Sequence, residues 1–164
     1  MINYFQLLNL PESFSLELKD IEDNYFQLQR KYHPDQAKNE DKSKYLQIST
    51  NLNKAYKTLR CLCTRAEHIL NLQGIDVTAS NFRSIISTDF LKNIFLLQNK
   101  LHNISTAAEL RKLKEVLNTS FNNSIKDLEF AFNSKDYETA IIKTIELKYW
   151  DNLINFSRLY NASN

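Results

Sequence analysis

The sequence predicts an all-α protein in two parts, an antiparallel helix hairpin with a loop at its tip followed by an antiparallel three-helix bundle. Three observations carry this. One glycine (Gly74) and two prolines (Pro11 and Pro34) in 164 residues leave almost nowhere for the glycine-dependent turns of sandwiches and barrels, or for backbone that closes on a phosphate. Apolar residues recur at intervals of three and four along most of the chain, which is the period of one helix face. Ten Phe and eight Tyr within a 43% hydrophobic composition supply a core that needs neither disulfides nor metal.

Taken in order, Tyr4, Phe5, Leu7, Leu8 and Leu10 form a helix of one or two turns, stopped by Pro11. Ser15 is the expected N-cap of the next helix, whose stripe is Leu18, Ile21, Tyr25, Leu28 and Tyr32. Acidic Glu17, Asp20, Glu22 and Asp23 lie early and basic Arg30 and Lys31 late, which suits the helix dipole. Pro34 holds His33 extended, so this helix ends near Tyr32. Residues 35–43 are polar and read as an exposed loop. A matching stripe, Tyr45, Ile48, Leu52, Ala55 or Tyr56, and Leu59, predicts the antiparallel partner. A short helix over Arg65–Leu72 follows, with Gly74 where a C-terminal cap is expected.

Residues 75–88 lack helical periodicity and are expected to link a domain over 1–74 to one over 89–164. Asp89–His102 is a helix with Phe90, Ile94, Leu97 and Leu101 as its core stripe. Thr106-Ala107-Ala108-Glu109 has the form of a capping box and opens a long helix striped by Leu110, Leu113, Leu117, Phe121, Ile125, Leu128 and Phe132. Asn133-Ser134-Lys135-Asp136 breaks it. A last helix over about Tyr137–Leu159 is striped by Ile142, Ile145, Tyr149, Phe156 and Leu159. Short connections make these three helices an antiparallel bundle.

Charge is balanced, 21 basic against 19 acidic residues, and does not separate along the chain: residues 1–72 hold 10 and 9, residues 73–164 hold 11 and 10. A nucleic-acid binder, which must neutralise many phosphates, is not indicated. Met1-Ile2-Asn3-Tyr4 shows no basic region or apolar run of a secretory signal, and no stretch approaches the roughly 18 apolar residues of a membrane helix. A cytoplasmic location is expected. Cys61 and Cys63 lack the usual metal or redox spacing and are expected to be helix-packing thiols. His33, His68 and His102 lie on distant segments, with no nucleophile–base set or metal constellation. No enzymatic activity, metal or cofactor is expected.

The most informative residues are His33, Pro34 and Asp35, where an amphipathic helix stops and a polar loop begins. The tripeptide alone is a weak signal. Its context strengthens it: two matched stripes, a basic pair before it, and a short apolar helix upstream. The arrangement resembles a J domain, and the resemblance implies binding to a DnaK-type chaperone and acceleration of its ATP hydrolysis. Pro34 removes a donor and stiffens the tip, which lowers the ordering entropy lost on docking. Asp35 offers a carboxylate and His33 an imidazole, while Arg30 and Lys31 would steer the module to an acidic surface.

Asn3-Tyr4-Phe5-Gln6-Leu7-Leu8-Asn9-Leu10-Pro11, Ala55-Tyr56-Lys57-Thr58-Leu59-Arg60 and Arg65-Ala66-Glu67-His68-Ile69-Leu70 with Gly74 resemble the HscB family, J-type co-chaperones of iron–sulfur cluster assembly. The resemblance covers essentially the whole chain. It implies a DnaK-type (HscA-type) chaperone partner and a bundle that binds an iron–sulfur scaffold protein of the IscU type. By resemblance, that surface maps to Leu91, Lys92, Phe95 and Asn99 on the first bundle helix and to Tyr149, Trp150 and Leu153 on the last. The residues add to this, because Leu91 and Phe95 form a second apolar stripe beside the core stripe. Lys92, Asn93, Gln98, Asn99 and Lys100 stand where the family usually has acidic residues, Gln36 where it often has a lysine, and Cys61-Leu62 where it tends to have His-Pro. The expected function is thus a co-chaperone that stimulates the chaperone's ATPase and delivers the scaffold to it. The alternative is a generic J-domain co-chaperone with a different client.

Overall fold

The computed structural model describes residues 1–38, 41–77 and 85–159. These residues form seven α-helices and one 3-10 turn, Pro34–Gln36, with no strand among them. The helices are α1 (Tyr4–Leu7), α2 (Leu18–Lys31), α3 (Lys42–Arg60), α4 (Leu62–Leu72), α5 (Thr88–His102), α6 (Ala107–Asn133) and α7 (Tyr137–Leu159). The chain divides into two compact units, Met1–Ile75 and Asp76–Asn164. Of the segment read as a linker, residues 78–84 lie outside the described residues, as do 39–40 of the polar loop.

In the first unit α2 and α3 pack side by side, and α1 and α4 pack on α3. Phe5 and Leu8 of the α1 segment, Ile21, Leu52, Ala55, Leu59, Ala66 and Leu70 are buried together with Phe14. The α2–α3 seam is more polar than its stripes suggest. Tyr25 stacks on Tyr56 at 4.3 Å between ring centroids and donates its hydroxyl to Asn53 Oδ1 at 2.6 Å. Gln29 donates to Asn53 Oδ1 (2.8 Å) and to the Ser49 carbonyl (3.2 Å), and accepts from the Ser49 hydroxyl (3.0 Å). Leu18, read as part of the α2 stripe, is instead 46% exposed at the helix start.

Ser15 is not the cap of α2. Glu17 occupies that position, with no side-chain cap bond. The reason is Arg65, which is 3% exposed. Its guanidinium donates to the carbonyls of Phe14 (2.6 Å), Leu16 (3.2 Å) and Leu59 (2.6 Å), tying the α1–α2 connection to the end of α3 and keeping it out of the helix until Glu17. α4 begins at Leu62, three residues earlier than its apolar pattern suggested. It ends in a Schellman cap: Gly74 N–H reaches the Asn71 carbonyl (3.1 Å) and Ile75 N–H the Leu70 carbonyl (3.0 Å), with Gly74 at φ +80°.

In the second unit α6 and α7 form a long hairpin, and α5 lies against one end of it. The core there unites Ile94, Leu97 and Leu101 of α5 with Leu110, Leu113 and Leu117 of α6 and Trp150 and Leu153 of α7, with Phe90, Phe121 and Phe156 packed against them. At about 1.5 Å per residue, the 15 residues of α5 cannot span the 27 of α6. Towards the α6–α7 turn, the buried residues are those of α6 and α7 alone: Ser124, Leu128 and Ala131 with Ala140, Ile141, Thr144 and Leu147.

This corrects the stripe assigned to the last helix. Ile142, Ile145 and Phe156 are only partly buried, Tyr149 is 36% exposed and Leu159 63%. Small and hydroxylic residues line the true seam because they let the helices approach. Their polar atoms stay bonded within the helix, Thr144 Oγ1 to the Ala140 carbonyl (2.7 Å) and Ser157 Oγ to the Ile154 carbonyl (2.7 Å). The capping box at Thr106 and Glu109 is present with both bonds formed.

Candidate partner-docking surfaces

The tip between α2 and α3 is built by Pro34. His33, the residue before it, takes φ −62° and ψ 134°, and Pro34 opens the 3-10 turn. Gln36 N–H to the His33 carbonyl (2.9 Å) and Ala37 N–H to the Pro34 carbonyl (3.2 Å) close it. His33 Nδ1 accepts the Asp35 amide N–H at 3.3 Å. That assignment leaves the proton of a neutral imidazole on Nε2.

Asp35 Oδ2 lies 3.5 Å from His33 Nδ1, with side-chain exposures of 54% for His33 and 85% for Asp35. At that distance the carboxylate is not held by a strong hydrogen bond and stays open to a cationic donor. Arg30 and Lys31 fill the last turn of α2 and are exposed. Lys31 Nζ sits 5.3 Å from the Tyr32 ring centroid, so its stem is steadied while its charge remains in water. The tip therefore presents an anion, a hydrogen-bonding imidazole and two cations on a stiff turn.

In the second unit, α5 carries a contrasting face. Leu91, Lys92, Phe95, Leu96 and Asn99 fall within an arc of roughly 140° at 100° per residue, opposite the buried Ile94, Leu97 and Leu101. Leu91 is 37% exposed, Phe95 62% and Leu96 58%. Lys92 makes a 3.5 Å ion pair with Asp89 one turn earlier. Leu96 was not singled out in the sequence, since it continues neither apolar stripe at i+3 or i+4, and only burial reveals it as part of the face.

The residues expected on α7 are placed differently. Tyr149 is at the surface and meets the Phe90 ring edge-on at 5.8 Å. Trp150 and Leu153 belong to the core, 6% and 5% exposed. Trp150 packs perpendicular to Phe90 at 5.3 Å. These two therefore support the face from beneath rather than forming it.

The cysteine expectation divides. Cys63 is a buried packing thiol, whereas Cys61 is exposed. His68 is buried and accepts the Tyr4 amide N–H on Nε2 at 3.0 Å, stacked under the Tyr4 ring at 4.5 Å. Burial pushes its pKa down, against an opposing pull from Glu12. No helix among the described residues is long and apolar enough to cross a membrane.

Comparison with known proteins finds relatives for both halves of the chain. Residues 3–68 match the DnaJ domain family and residues 86–155 the HSCB C-terminal oligomerisation domain family. The chain is 31% identical over 159 residues to the co-chaperone protein HscB of Buchnera aphidicola, covering 93% of this chain and 91% of that protein. Among solved structures, the chaperone HscB from Vibrio cholerae superposes with a TM-score of 0.86 at 25% identity, over 98% of both chains. The crystal structure of human co-chaperone protein HscB superposes with a TM-score of 0.88 at 26% identity, over 98% of this chain and 83% of that one.

Proposed function

Because the chain belongs to the HscB family of J-domain co-chaperones, we propose that it stimulates ATP hydrolysis by a DnaK-type (HscA-type) chaperone and delivers an iron–sulfur scaffold protein of the IscU type to it. The observation that carries the reading is the His33-Pro34-Asp35 tip, a preorganised turn with an exposed carboxylate and imidazole beside exposed Arg30 and Lys31. In this mechanism the chaperone holds the residues that hydrolyse ATP. This chain contributes position and charge: Asp35 accepts from a cationic side chain of the chaperone, and Pro34 reduces the ordering cost of docking.

The scaffold would be held by Leu91, Phe95 and Leu96, with Lys92, Asn99 and Tyr149 at the rim and Trp150 and Leu153 fixing Phe90 and the α5 face from below. The exposure of Phe95 supports this, because a large aromatic left open on a small bundle is the kind of anchor that dominates binding energy. Two handles on one chain raise the effective concentration of scaffold at the chaperone.

The test is ATP turnover by the cognate chaperone with native chain, His33→Gln and Phe95→Ala, each with and without scaffold. Native chain should stimulate, and scaffold should add synergistically. His33→Gln should abolish stimulation with no change in unfolding midpoint. Phe95→Ala should keep the basal stimulation and weaken scaffold synergy by about 10-fold or more in concentration, as for loss of a hot-spot aromatic. Stimulation indifferent to scaffold would leave a J-domain co-chaperone with another client.

A further inference from the structure

Beside the exposed face of α5, the second unit holds a groove of about 400 Å³ between the end of α5 and the first turns of α6. Its lining runs from buried Leu113 and half-buried Ile104 to Val116, which is 49% exposed. Lys100 enters it from α5, Asn103 from the C-cap of that helix, and Lys112 from α6. Lys100 stands one turn after Leu96, about 40° round the helix on the side away from Leu91. The groove therefore continues the Leu91, Phe95 and Leu96 face towards α6.

The charge of this region is one-sided. Across residues 88–119, Lys92, Lys100, Arg111, Lys112 and Lys114 stand against Asp89, Glu109 and Glu115, and two of those three carboxylates are already committed. Asp89 lies 3.5 Å from Lys92. Glu109 also lines the groove, but its Oε2 accepts the amides of Ser105 (3.3 Å) and Thr106 (3.2 Å). Those bonds, that of the Ser105 amide foremost, hold its pKa below the usual carboxylate range. Among the described residues neither Lys100 nor Lys112 has an ion-pair partner. An apolar recess flanked by unpaired cations from two helices is complementary to apolar side chains set among carboxylates. A second copy of this chain, placed about a two-fold axis here, would instead bring both lysines against their own equivalents.

Resting on the scaffold reading above, we propose that the groove extends the α5 docking face and takes an acidic, apolar segment of the scaffold protein, with Lys100 and Lys112 meeting its carboxylates from either side. Lys92 and Lys100 stand where the family usually has acidic residues, so the charge of recognition is reversed in this chain. A scaffold with a basic docking segment is then a disfavoured partner, since like charges brought together at an interface oppose binding. The exposed lysines supply steering and selection, and Phe95 supplies the anchor.

The test is calorimetric titration of the full chain with its cognate scaffold protein, comparing native chain, Lys100→Glu with Lys112→Glu, Lys100→Gln with Lys112→Gln, and Phe95→Ala. Both lysines are exposed, so the urea midpoint should hold in either double variant. Native affinity should fall at least about 10-fold as salt rises from about 0.1 M to about 1 M, which shortens the Debye length from about 10 Å to about 3 Å. The Glu pair should bind at least about 10-fold more weakly than native chain at the lower salt and gain affinity as salt rises, with the Gln pair between the two. A Glu pair that binds as tightly as native chain, or more tightly, would overturn the proposal. So would a native dimer in sedimentation that the Glu pair dissociates, because a second copy would then fill the groove. If Phe95→Ala weakens binding and the charge variants do not, the scaffold reading stands and the groove is removed from it. Absence of scaffold binding by native chain at every salt concentration would remove both.

Discussion

The two long hairpins, α2–α3 and α6–α7, share a topology and differ in what holds them. Along α2–α3, side-chain hydrogen bonds among Gln29, Ser49, Asn53 and Tyr25 cross the seam, and of the α2 stripe only Ile21 is fully buried. Along α6–α7, Leu117, Leu128, Ala131, Ala140, Thr144 and Leu147 are almost wholly buried, and the seam's hydroxyls bond within their own helix. The first hairpin spends its sequence on presenting a tip. The second spends it on close packing, and the partner face proposed for its unit lies on α5. A docking surface set on a thinly packed hairpin needs directional bonds to fix its angle, while one set on a packed bundle inherits rigidity from the core.

The largest effect that can break this contrast is in the packed seam. Leu128→Ala should destabilise the chain by about 2–5 kcal/mol, through lost burial and the cavity left behind, read as a fall in the urea midpoint. A smaller effect is expected at Gln29. Its seam bonds are partly solvent-accessible, so Gln29→Ala should cost only about 1 kcal/mol. It should, however, impair chaperone stimulation by loosening the angle at which the tip is offered. Equal costs for the two variants would end the contrast.

The smallest effect is a dependence on pH. Burial holds His68 below the ordinary histidine range, so the unfolded chain takes up its proton first. The stability due to the Tyr4 amide bond is whole above about pH 6.5 and is lost as pH falls towards the lowered folded value. Between about pH 7.5 and 5.5 the native urea midpoint should drop more than that of His68→Gln, and parallel drops would show that His68 contributes nothing.

Much of this was legible in the sequence. The hairpin tip could be read because Pro34 constrains its neighbour by sterics alone, and the Thr106–Glu109 box because capping is local. The stripes of α5 and early α6 were legible for the same reason, since each helix meets its partner along one apolar face. The seam of late α6 and α7 was legible only at Leu128. Much of the remaining contact is made by Ser124, Ala131, Ala140 and Thr144, whose small or polar character looks like surface, so the apolar Ile142 and Ile145 drew the α7 stripe the wrong way. Trp150 and Leu153 were assigned to a partner surface because resemblance gives positions and not burial. The start of α2 was hidden because it depends on Arg65, 51 residues from Phe14 in sequence.

The cap that ends α4 recurs twice without glycine. At the end of α1, Asn9 N–H reaches the Gln6 carbonyl (3.1 Å) and Leu10 N–H the Phe5 carbonyl (2.8 Å). At the end of α6, Lys135 N–H reaches the Phe132 carbonyl (3.2 Å) and Asp136 N–H the Ala131 carbonyl (2.9 Å). Asn9 and Lys135 hold φ 54° and 58°, where an L side chain crowds its own carbonyl by about 1–2 kcal/mol, least for asparagine. A chain almost devoid of glycine has thus placed the same left-handed joint at three residues of unequal fitness for it. Its fold has thermal headroom its composition leaves untouched, and Lys135 is where an engineer or a drifting lineage could claim it without disturbing either proposed docking surface.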